Sequence, residues 1–223
     1  MNEVSLSGRS FGPAAGGTPK ALVALLHGLG ADGSDLIALA PTLARTLPHA
    51  LFVSPDAPFP CDMAPYGRQW FSLQDRAPAK VLDGTTMVRP IVDRFLDEAL
   101  AVWGLTDQAL ALLGFSQGAM TALHVGLRRT IPPAAILAFS GVLVGEVPPA
   151  PAPGYPPVLL VHGEDDPVVP FSSFRHARTT LAAAGVPVEA LARPGLGHGI
   201  DQDGLEAAQK ALARCLGGVA GAA

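Results

Sequence analysis

The sequence of 223 residues predicts an α/β protein in which helices cover both faces of a mostly parallel central sheet. Short apolar runs alternate along the chain with longer segments of helical pattern. The short runs are apolar throughout, instead of alternating with polar residues, which indicates strands buried on both faces. Hydrophobic residues make up 49% of the chain and charged residues 15%, a composition that is sufficient for a large buried core.

Each element follows from its local pattern. The short apolar runs predict the strands Ala21–Leu26, Ala50–Ser54, Ala109–Leu113, Ala134–Phe139, Val158–Val161 and Val186–Leu191. The segments between and after them predict the helices Asp35–Leu47, Thr86–Trp103, Gln117–Arg128, Ser172–Ala184 and Gly204–Leu216. In the second of these helices the apolar residues return at three- and four-residue steps, the stripe of a helix that packs on one side.

Two segments have neither pattern. Residues Pro55–Thr85 contain proline, glycine, aromatic and charged residues, and a loop of this length is uncommon unless it covers or binds something. We therefore expect a substrate loop there. The stretch PPAPAPGYPP, Pro148–Pro157, predicts a stiff extended connector, because proline fixes φ and lacks an N–H. Neither segment separates blocks of different composition, so we expect one domain over residues 1–223.

Charge and cysteine content argue against several classes of protein. The net charge is −4 without a block of like charges, so we expect no nucleic-acid partner and no attraction to anionic membranes. Cys61 and Cys215 lie too far apart for a disulfide framework or a zinc pattern. The start of the chain, MNEVSLSGRSFG, does not have the pattern of a secretory signal, and no apolar run is long enough to cross a bilayer. We expect a cytoplasmic protein without stable membrane insertion.

The most specific motif is GFSQG, Gly114–Gly118, directly between a predicted strand and a predicted helix. G-x-S-x-G in that context is typical of a nucleophile elbow, a sharp turn that presents the serine hydroxyl clear of the backbone. The two glycines leave room where strand and helix pass closely. The N-terminus of the following helix also favours developing negative charge. The motif predicts Ser116 as a catalytic nucleophile.

A serine hydroxyl needs a base to act as a nucleophile at neutral pH. His198, in GLGHGI, follows the last predicted strand and has glycines on both sides. The other histidines fall at a turn, on helices, or before the loop expected to carry the base: His27, His49, His124, His162 and His176. The order of predicted elements therefore favours His198 as the base.

An acid that orients the base is expected in HGEDDPVVP, His162–Pro170, which follows another predicted strand. The residues alone leave Glu164, Asp165 and Asp166 open. The order of serine, acid and histidine, each after a strand, is that of α/β-hydrolases and not that of the trypsin or subtilisin type.

The stretch HGLGADGSD, His27–Asp35, allows two interpretations. Its glycines spell G-x-G-x-x-G after a strand, and Asp56 lies near the distance of a ribose-binding acid, as in a dinucleotide site. Against that interpretation, Asp32 would place a carboxylate among groups that should hold a pyrophosphate. The following helix is also expected to begin late, capped by Ser34 or Asp35.

We favour the interpretation of this stretch as an oxyanion turn. A tetrahedral intermediate needs backbone N–H groups, one from the residue after the nucleophile and one from the loop after an early strand. Gln117 and Leu29 are placed to supply them.

Together, LLHGLGADGSDL, GRQWF, GFSQGAM, HGEDDPVVP and GLGHGI resemble the phospholipase/carboxylesterase family of α/β-hydrolases, which includes the acyl-protein thioesterases. The likeness runs from about residue 21 to about residue 212. It implies Asp166 as the triad acid and supports Leu29 and Gln117 as oxyanion donors. It also places Trp70 in a loop that lines the acyl pocket. Alternatively, Trp70 and Phe71 anchor that loop to the body of the protein. The resemblance implies no metal or organic cofactor, and it makes a homodimer one assembly open to the chain.

We therefore expect a serine carboxylesterase that hydrolyses ester or thioester bonds of small-molecule or acyl substrates through Ser116, His198 and Asp166. Three alternatives remain at this point: a dinucleotide-binding oxidoreductase, a catalytically silent binding protein of the same fold, and a peptidase or C–C bond hydrolase with the same machinery. The residues leave the acyl length and the leaving group open.

Overall fold

The computed structural model describes residues 6–218, so the first five residues of the N-terminal stretch and the last five of the chain lie outside it. In chain order the strands are β1 (Gly8–Phe11), β2 (Ala21–Leu26), β3 (Ala50–Pro55), β4 (Phe59–Pro60), β5 (Arg68–Gln69), β6 (Leu110–Phe115), β7 (Ala135–Phe139), β8 (Val158–Gly163) and β9 (Val188–Arg193). Within the described residues, seven of them form one sheet in the order β1-β3-β2-β6-β7-β8-β9. Every neighbouring pair is parallel except β1 with β3. The predicted, mostly parallel sheet is confirmed.

Helices cover both faces of the sheet, as predicted. They are α1 (Gly33–Leu36), α2 (Ala40–Leu43), α3 (Pro78–Trp103), α4 (Gln117–Gly126), α5 (Phe171–Ala183) and α6 (Gln202–Leu216), with 3₁₀ turns at Ile37–Leu39 and Asp107–Ala109. Buried side chains of α3, α4 and α5 pack on one face, and those of α1, α2 and α6 pack on the other. The alternate residues of each apolar strand therefore enter two separate cores.

Both edges of the sheet differ from the prediction. β1 was not expected, because GRSF contains no apolar run; it pairs antiparallel with β3, with Gly8 opposite Pro55. At the other edge, β9 begins at Val188 instead of Val186 and extends to Arg193, and none of its residues is fully buried. Edge strands bury less of their surface, so their sequences carry a weaker apolar signal.

The prediction of a single helix over Asp35–Leu47 is wrong. The segment is broken into α1, a 3₁₀ turn and α2, which ends at Leu43. Pro41 lies within it and has no N–H to donate to the preceding turn, so the α-helical ladder is interrupted there. Its start also differs: Asp32 is the N-cap and accepts a hydrogen bond from the Ser34 N–H at 2.8 Å.

The long irregular segment is shorter than predicted, because α3 begins at Pro78 and not at Thr86. Proline is well tolerated in the first turn of a helix, where its missing N–H needs no intrahelical partner. Inside the remaining loop, β4 and β5 form a short antiparallel hairpin. The stretch Pro148–Pro157 links β7 to β8 and contains neither helix nor strand.

The direction of chain progression across the sheet reverses between β2 and β6. From β2 the chain passes to β3 on one side, whereas β6, β7, β8 and β9 follow one another on the other side. In open α/β sheets, ligands bind in the crevice at the carboxyl ends of the strands at such a reversal. The loops after β2 and β6, which contain HGLG and GFSQG, meet at this point. Among residues 6–218, no helix has both the length and the apolar character of a membrane span.

The buried His124 on α4 makes stability depend on pH. Burial, together with the nearby guanidinium of Arg128, lowers the pKa of His124 to about 4. Because an unfolded histidine binds its proton nearer pH 6.5, the unfolded state takes up more protons between these values, and stability falls as the pH falls through this window.

Between pH 7 and pH 5, the unfolding free energy of the wild type should fall by about 2 kcal/mol more than that of His124→Leu. Urea unfolding at both pH values measures this. His176→Gln, on the exposed face of α5, is the control and should lose as much stability as the wild type. A loss in the His124→Leu variant as large as that of the wild type would contradict the assignment.

Candidate active site

Ser116 lies at a strained turn between β6 and α4. Its φ is 54° and its ψ −116°, a conformation that non-glycine residues adopt only where the surroundings enforce it. The two neighbouring glycines make the turn possible. A Cβ on Gly114 would lie 2.3 Å from the Gly118 carbonyl oxygen, and one on Gly118 would lie 1.9 Å from that of Leu26. The strand, the helix and the end of β2 therefore pack too closely for any side chain.

The structure brings together the side chains predicted as nucleophile, base and acid. His198 Nε2 lies 3.0 Å from Ser116 Oγ, and His198 Nδ1 lies 2.7 Å from Asp166 Oδ2. Asp166 follows β8 and His198 follows β9, so three separate loops contribute. Glu164 and Asp165, the acids that the residues alone left open, are exposed.

The Asp166 carboxylate is held by several donors. Its Oδ1 accepts hydrogen bonds from the N–H groups of Val168 at 2.8 Å and Val169 at 2.9 Å, while Oδ2 faces His198. Burial acts to raise the pKa of Asp166. The hydrogen bonds from His198, Val169 and Val168 outweigh that effect, so the pKa lies below its ordinary value. Asp166 is therefore an ionised acceptor at neutral pH.

The turn His27–Gly30 lies directly beside Ser116. A Cβ on Gly28 would be 3.5 Å from the Cβ of Ser116. Gly30 has a φ of +81°, and its N–H donates to the Arg68 carbonyl at 2.9 Å. Within the described part of the chain, the Leu29 N–H has no hydrogen-bond acceptor. The turn thus holds its neighbours in place and leaves one N–H free next to Ser116.

The buried ring of His27 stabilises the same turn through two hydrogen bonds. Its Nε2 accepts a hydrogen bond from the Ala57 N–H at 3.0 Å, so the ring hydrogen is on Nδ1, which donates to the Gly28 carbonyl at 2.7 Å. Burial lowers the pKa of His27, although the bond to Gly28 opposes that effect. The ring is therefore a neutral structural element of the loop.

Trp70 is fully buried, and it is not among the residues that line the cavity above Ser116. Its Nε1–H donates to the His27 carbonyl at 2.9 Å. The Gln117 side chain binds the adjacent backbone, since its Oε1 accepts from the Trp70 N–H at 2.9 Å and its Nε2 donates to the Phe71 carbonyl at 2.7 Å. This position is the one expected if Trp70 anchors its loop to the body of the protein instead of lining the acyl pocket. The role of the Gln117 side chain was missed, because only its backbone N–H had been considered.

A cavity of about 500 Å³ opens above the nucleophile. Ser116, His198 and Leu29 lie at its base, and Arg76 contributes a positive charge. The remaining wall is mainly apolar and includes Leu73, Val81, Met120, Val142, Leu143 and Val168. Among residues 6–218, no cluster of three or more His, Cys, Asp or Glu side chains is arranged to hold a metal ion. The cavity is suited to an apolar chain or ring beside a reacting carbonyl.

The contacts of the two acids near α1 disfavour a dinucleotide site. Asp56, the candidate ribose ligand, accepts hydrogen bonds from the Gly33 N–H at 2.8 Å and from Ser7 Oγ at 3.0 Å. Asp32 caps the same short helix. A pyrophosphate at this turn would meet two carboxylates where it needs free N–H groups.

Comparison with known proteins agrees with this geometry. The family model for Phospholipase/Carboxylesterase matches residues 14–216. The chain belongs to this family. It is 31% identical over 193 residues to Esterase YpfH of Escherichia coli (strain K12), covering 83% of this chain and 78% of that one. It is 30% identical over 208 residues to Carboxylesterase SOBER1 of Arabidopsis thaliana, covering 86% and 90%.

The crystal structure of esterase PE8 superposes on the present structure with a TM-score of 0.86 at 41% sequence identity. The alignment covers 96% of this chain and 100% of the PE8 chain. The predicted α/β-hydrolase fold is confirmed. The predicted class of activity, a carboxylic ester hydrolase, is confirmed as well.

The Gln117 carboxamide generates a prediction about stability. Gln117→Leu leaves the buried Trp70 N–H and Phe71 carbonyl without partners, so we expect a loss of about 2–4 kcal/mol in unfolding free energy. Denaturant unfolding measures it. The control is Gln74→Leu, an exposed residue whose amide makes one hydrogen bond at 3.2 Å to the Asp62 carbonyl; it should change stability by less than about 0.5 kcal/mol. Equal effects in the two variants would refute the stabilising role of the Gln117 carboxamide.

Proposed function

We propose that this ester hydrolase works through an acyl-enzyme, with Ser116 as nucleophile, His198 as general base and acid, and Asp166 as the group that orients the imidazole. The observation that carries the proposal is the continuous chain of contacts, 3.0 Å from Ser116 Oγ to His198 Nε2 and 2.7 Å from His198 Nδ1 to Asp166 Oδ2. An ionised Asp166 accepts the Nδ1–H, which leaves the lone pair of Nε2 directed at the serine hydroxyl.

Acylation begins when His198 Nε2 takes the proton of Ser116 Oγ as that oxygen attacks the substrate carbonyl. Asp166 stabilises the imidazolium that forms, and the backbone N–H groups of Leu29 and Gln117 bind the oxyanion. Loss of one such donor typically lowers kcat about 10²- to 10³-fold. His198 then protonates the leaving group, which departs as the carbonyl re-forms.

Deacylation repeats these steps with water. His198 removes a proton from the water as it attacks the acyl-enzyme, the same N–H groups bind the second oxyanion, and protonation of Ser116 Oγ releases the carboxylic acid. Every proton moves between Ser116, His198 and the reactants. Side chains of the protein therefore carry the proton transfers, and its backbone N–H groups bind the oxyanions.

From the lining and volume of the cavity, we infer that the substrates are small-molecule esters with apolar acyl chains or aryl groups. Its walls are largely aliphatic, and its volume of about 500 Å³ exceeds the space that an acetyl group needs. Oxygen esters and thioesters both fit the mechanism, because each presents a carbonyl and a leaving group that His198 can protonate. A cytoplasmic location and a homodimer stay predictions from the sequence.

We expect Ser116→Ala, with a wild-type unfolding curve, to lose nearly all turnover of a p-nitrophenyl ester, about 10³-fold or more. A fluorophosphonate should label the wild type at Ser116, as mass spectrometry of its peptides would show. Ser173→Ala, in the first turn of α5, is the matched control and should retain full turnover. Undiminished turnover by the Ser116 variant would refute the proposal, and NAD(H) should not raise the melting temperature of either protein.

We expect kcat/KM to rise with acyl length roughly fourfold per methylene until the apolar wall is filled, since each buried methylene contributes about 0.8 kcal/mol. A series of p-nitrophenyl esters and matching thioesters measures this. Val142→Phe, which narrows the cavity, should move the optimum to shorter chains. Val102→Phe, 72% exposed at the end of α3, should leave it unchanged. A flat series would show that the cavity does not hold the acyl chain.

A further inference from the structure

The carboxylate of Asp166 contacts a second imidazole besides that of His198. His162, in β8, places its Nε2 3.3 Å from Asp166 Oδ2 and 2.9 Å from the Val169 carbonyl oxygen. Both oxygens are acceptors. An Nε2 lone pair would therefore face two other lone pairs, which is unfavourable, so this nitrogen carries a hydrogen. The N–H donates its hydrogen bond to the Val169 carbonyl oxygen, and Asp166 Oδ2 lies 3.3 Å from the same nitrogen as a close electrostatic contact.

With this contact, each oxygen of the carboxylate has two nitrogen neighbours. Oδ1 accepts from the N–H groups of Val168 and Val169, and Oδ2 faces His198 Nδ1 and His162 Nε2. Three of these contacts are hydrogen bonds, and the fourth, from His162, is a close contact at 3.3 Å. Rotation of the carboxyl group about its Cβ–Cγ bond would break contacts on both oxygens.

The surroundings keep this contact dry. The side chain of His162 is 2% exposed and that of Asp166 is fully buried. The other neighbours of the His162 ring include the aromatic rings of Phe171 and Phe174, with centroids 6.2 Å and 6.0 Å away. A polar contact in such a site is stronger than one in water, because neither partner has solvent as an alternative.

We propose that His162 is a positioning residue for the catalytic histidine: its Nε2–H fixes the rotation of Asp166 and weakens Oδ2 as an acceptor, so that it sets both the orientation and the basicity of His198. The inference rests on the proposed roles of Asp166 and His198. Two donors compete for the electron density of one oxygen. When one donor is removed, the oxygen binds the other more strongly, and His198 holds its proton more tightly.

The test compares three variants in the intact chain. His162→Leu removes the N–H donor. His162→Gln keeps an amide N–H at about the same distance from the backbone as His162 Nε2. His162→Asn has the same amide on a side chain that is shorter by one methylene. We expect His162→Leu and His162→Asn to lower kcat about tenfold with little change in KM, and His162→Gln to recover most of the loss.

Two further readouts separate positioning from packing. In the His162→Leu and His162→Asn variants the acid limb of the kcat/KM profile should move to higher pH, and the proton NMR resonance of the His198 Nδ1–H should move downfield. A purely structural role would change the melting temperature and move neither. Asn and Gln are both polar and differ by one methylene, so their comparison remains valid if His162→Leu does not fold.

The proposal is overturned if His162→Gln and His162→Asn give equal kcat with an unmoved acid limb and an unmoved resonance. Such a result would leave the proposed function standing, provided that Ser116→Ala is inactive. Turnover that survives in Ser116→Ala would instead refute the proposed function itself, whatever the His162 variants do.

Discussion

The close approach of three backbones at Ser116 determines where the rest of the candidate site can lie. Gly118, in the first turn of α4, packs against the carbonyl of Leu26 at the end of β2, and Gly114 packs against Gly118. This contact joins the elbow to the turn after β2, so Ser116 and the free N–H of Leu29 share one edge of the sheet. Any Cβ at either glycine would separate them.

Around this contact, buried hydrogen bonds to the backbone hold the loops of the candidate site. The Gln117 side chain binds the loop at Trp70 and Phe71, and the Trp70 indole binds the HGLG turn in return. On the other side of Ser116, the Asp166 carboxylate is hydrogen-bonded to two backbone N–H groups and to His198, and it contacts His162. The Gln117 carboxamide and the Asp166 carboxylate are thus both held by buried partners, an arrangement that would favour electrostatic preorganisation of the proposed site.

The expected and observed elements differ where the apolar pattern is weak or is interrupted by proline. The apolar strands in the middle of the sheet carry a strong signal because both of their faces are buried, and they were predicted to within one or two residues. The broken helix at Pro41 and the early start of α3 at Pro78 lie at prolines, a local signal that apolar periodicity does not include. The edge strand β1 instead depends on its pairing with β3. Local pattern contains little information about such contacts.

The sequence by itself determined the alternation of strands and helices and the strand–turn–helix at Ser116, because each of these depends on neighbours a few residues away. The proposed order of serine, acid and histidine follows from which predicted strand each residue comes after. The selection of Asp166 needed the family resemblance. Only the tertiary structure decided that Trp70 is buried against the HGLG turn and that His162 contacts Asp166. It also decided that Asp32 and Asp56 occupy the turn where a phosphate would lie in a dinucleotide site. These facts depend on which side chains from distant segments meet in the folded chain, and spacing along the sequence does not encode those distances.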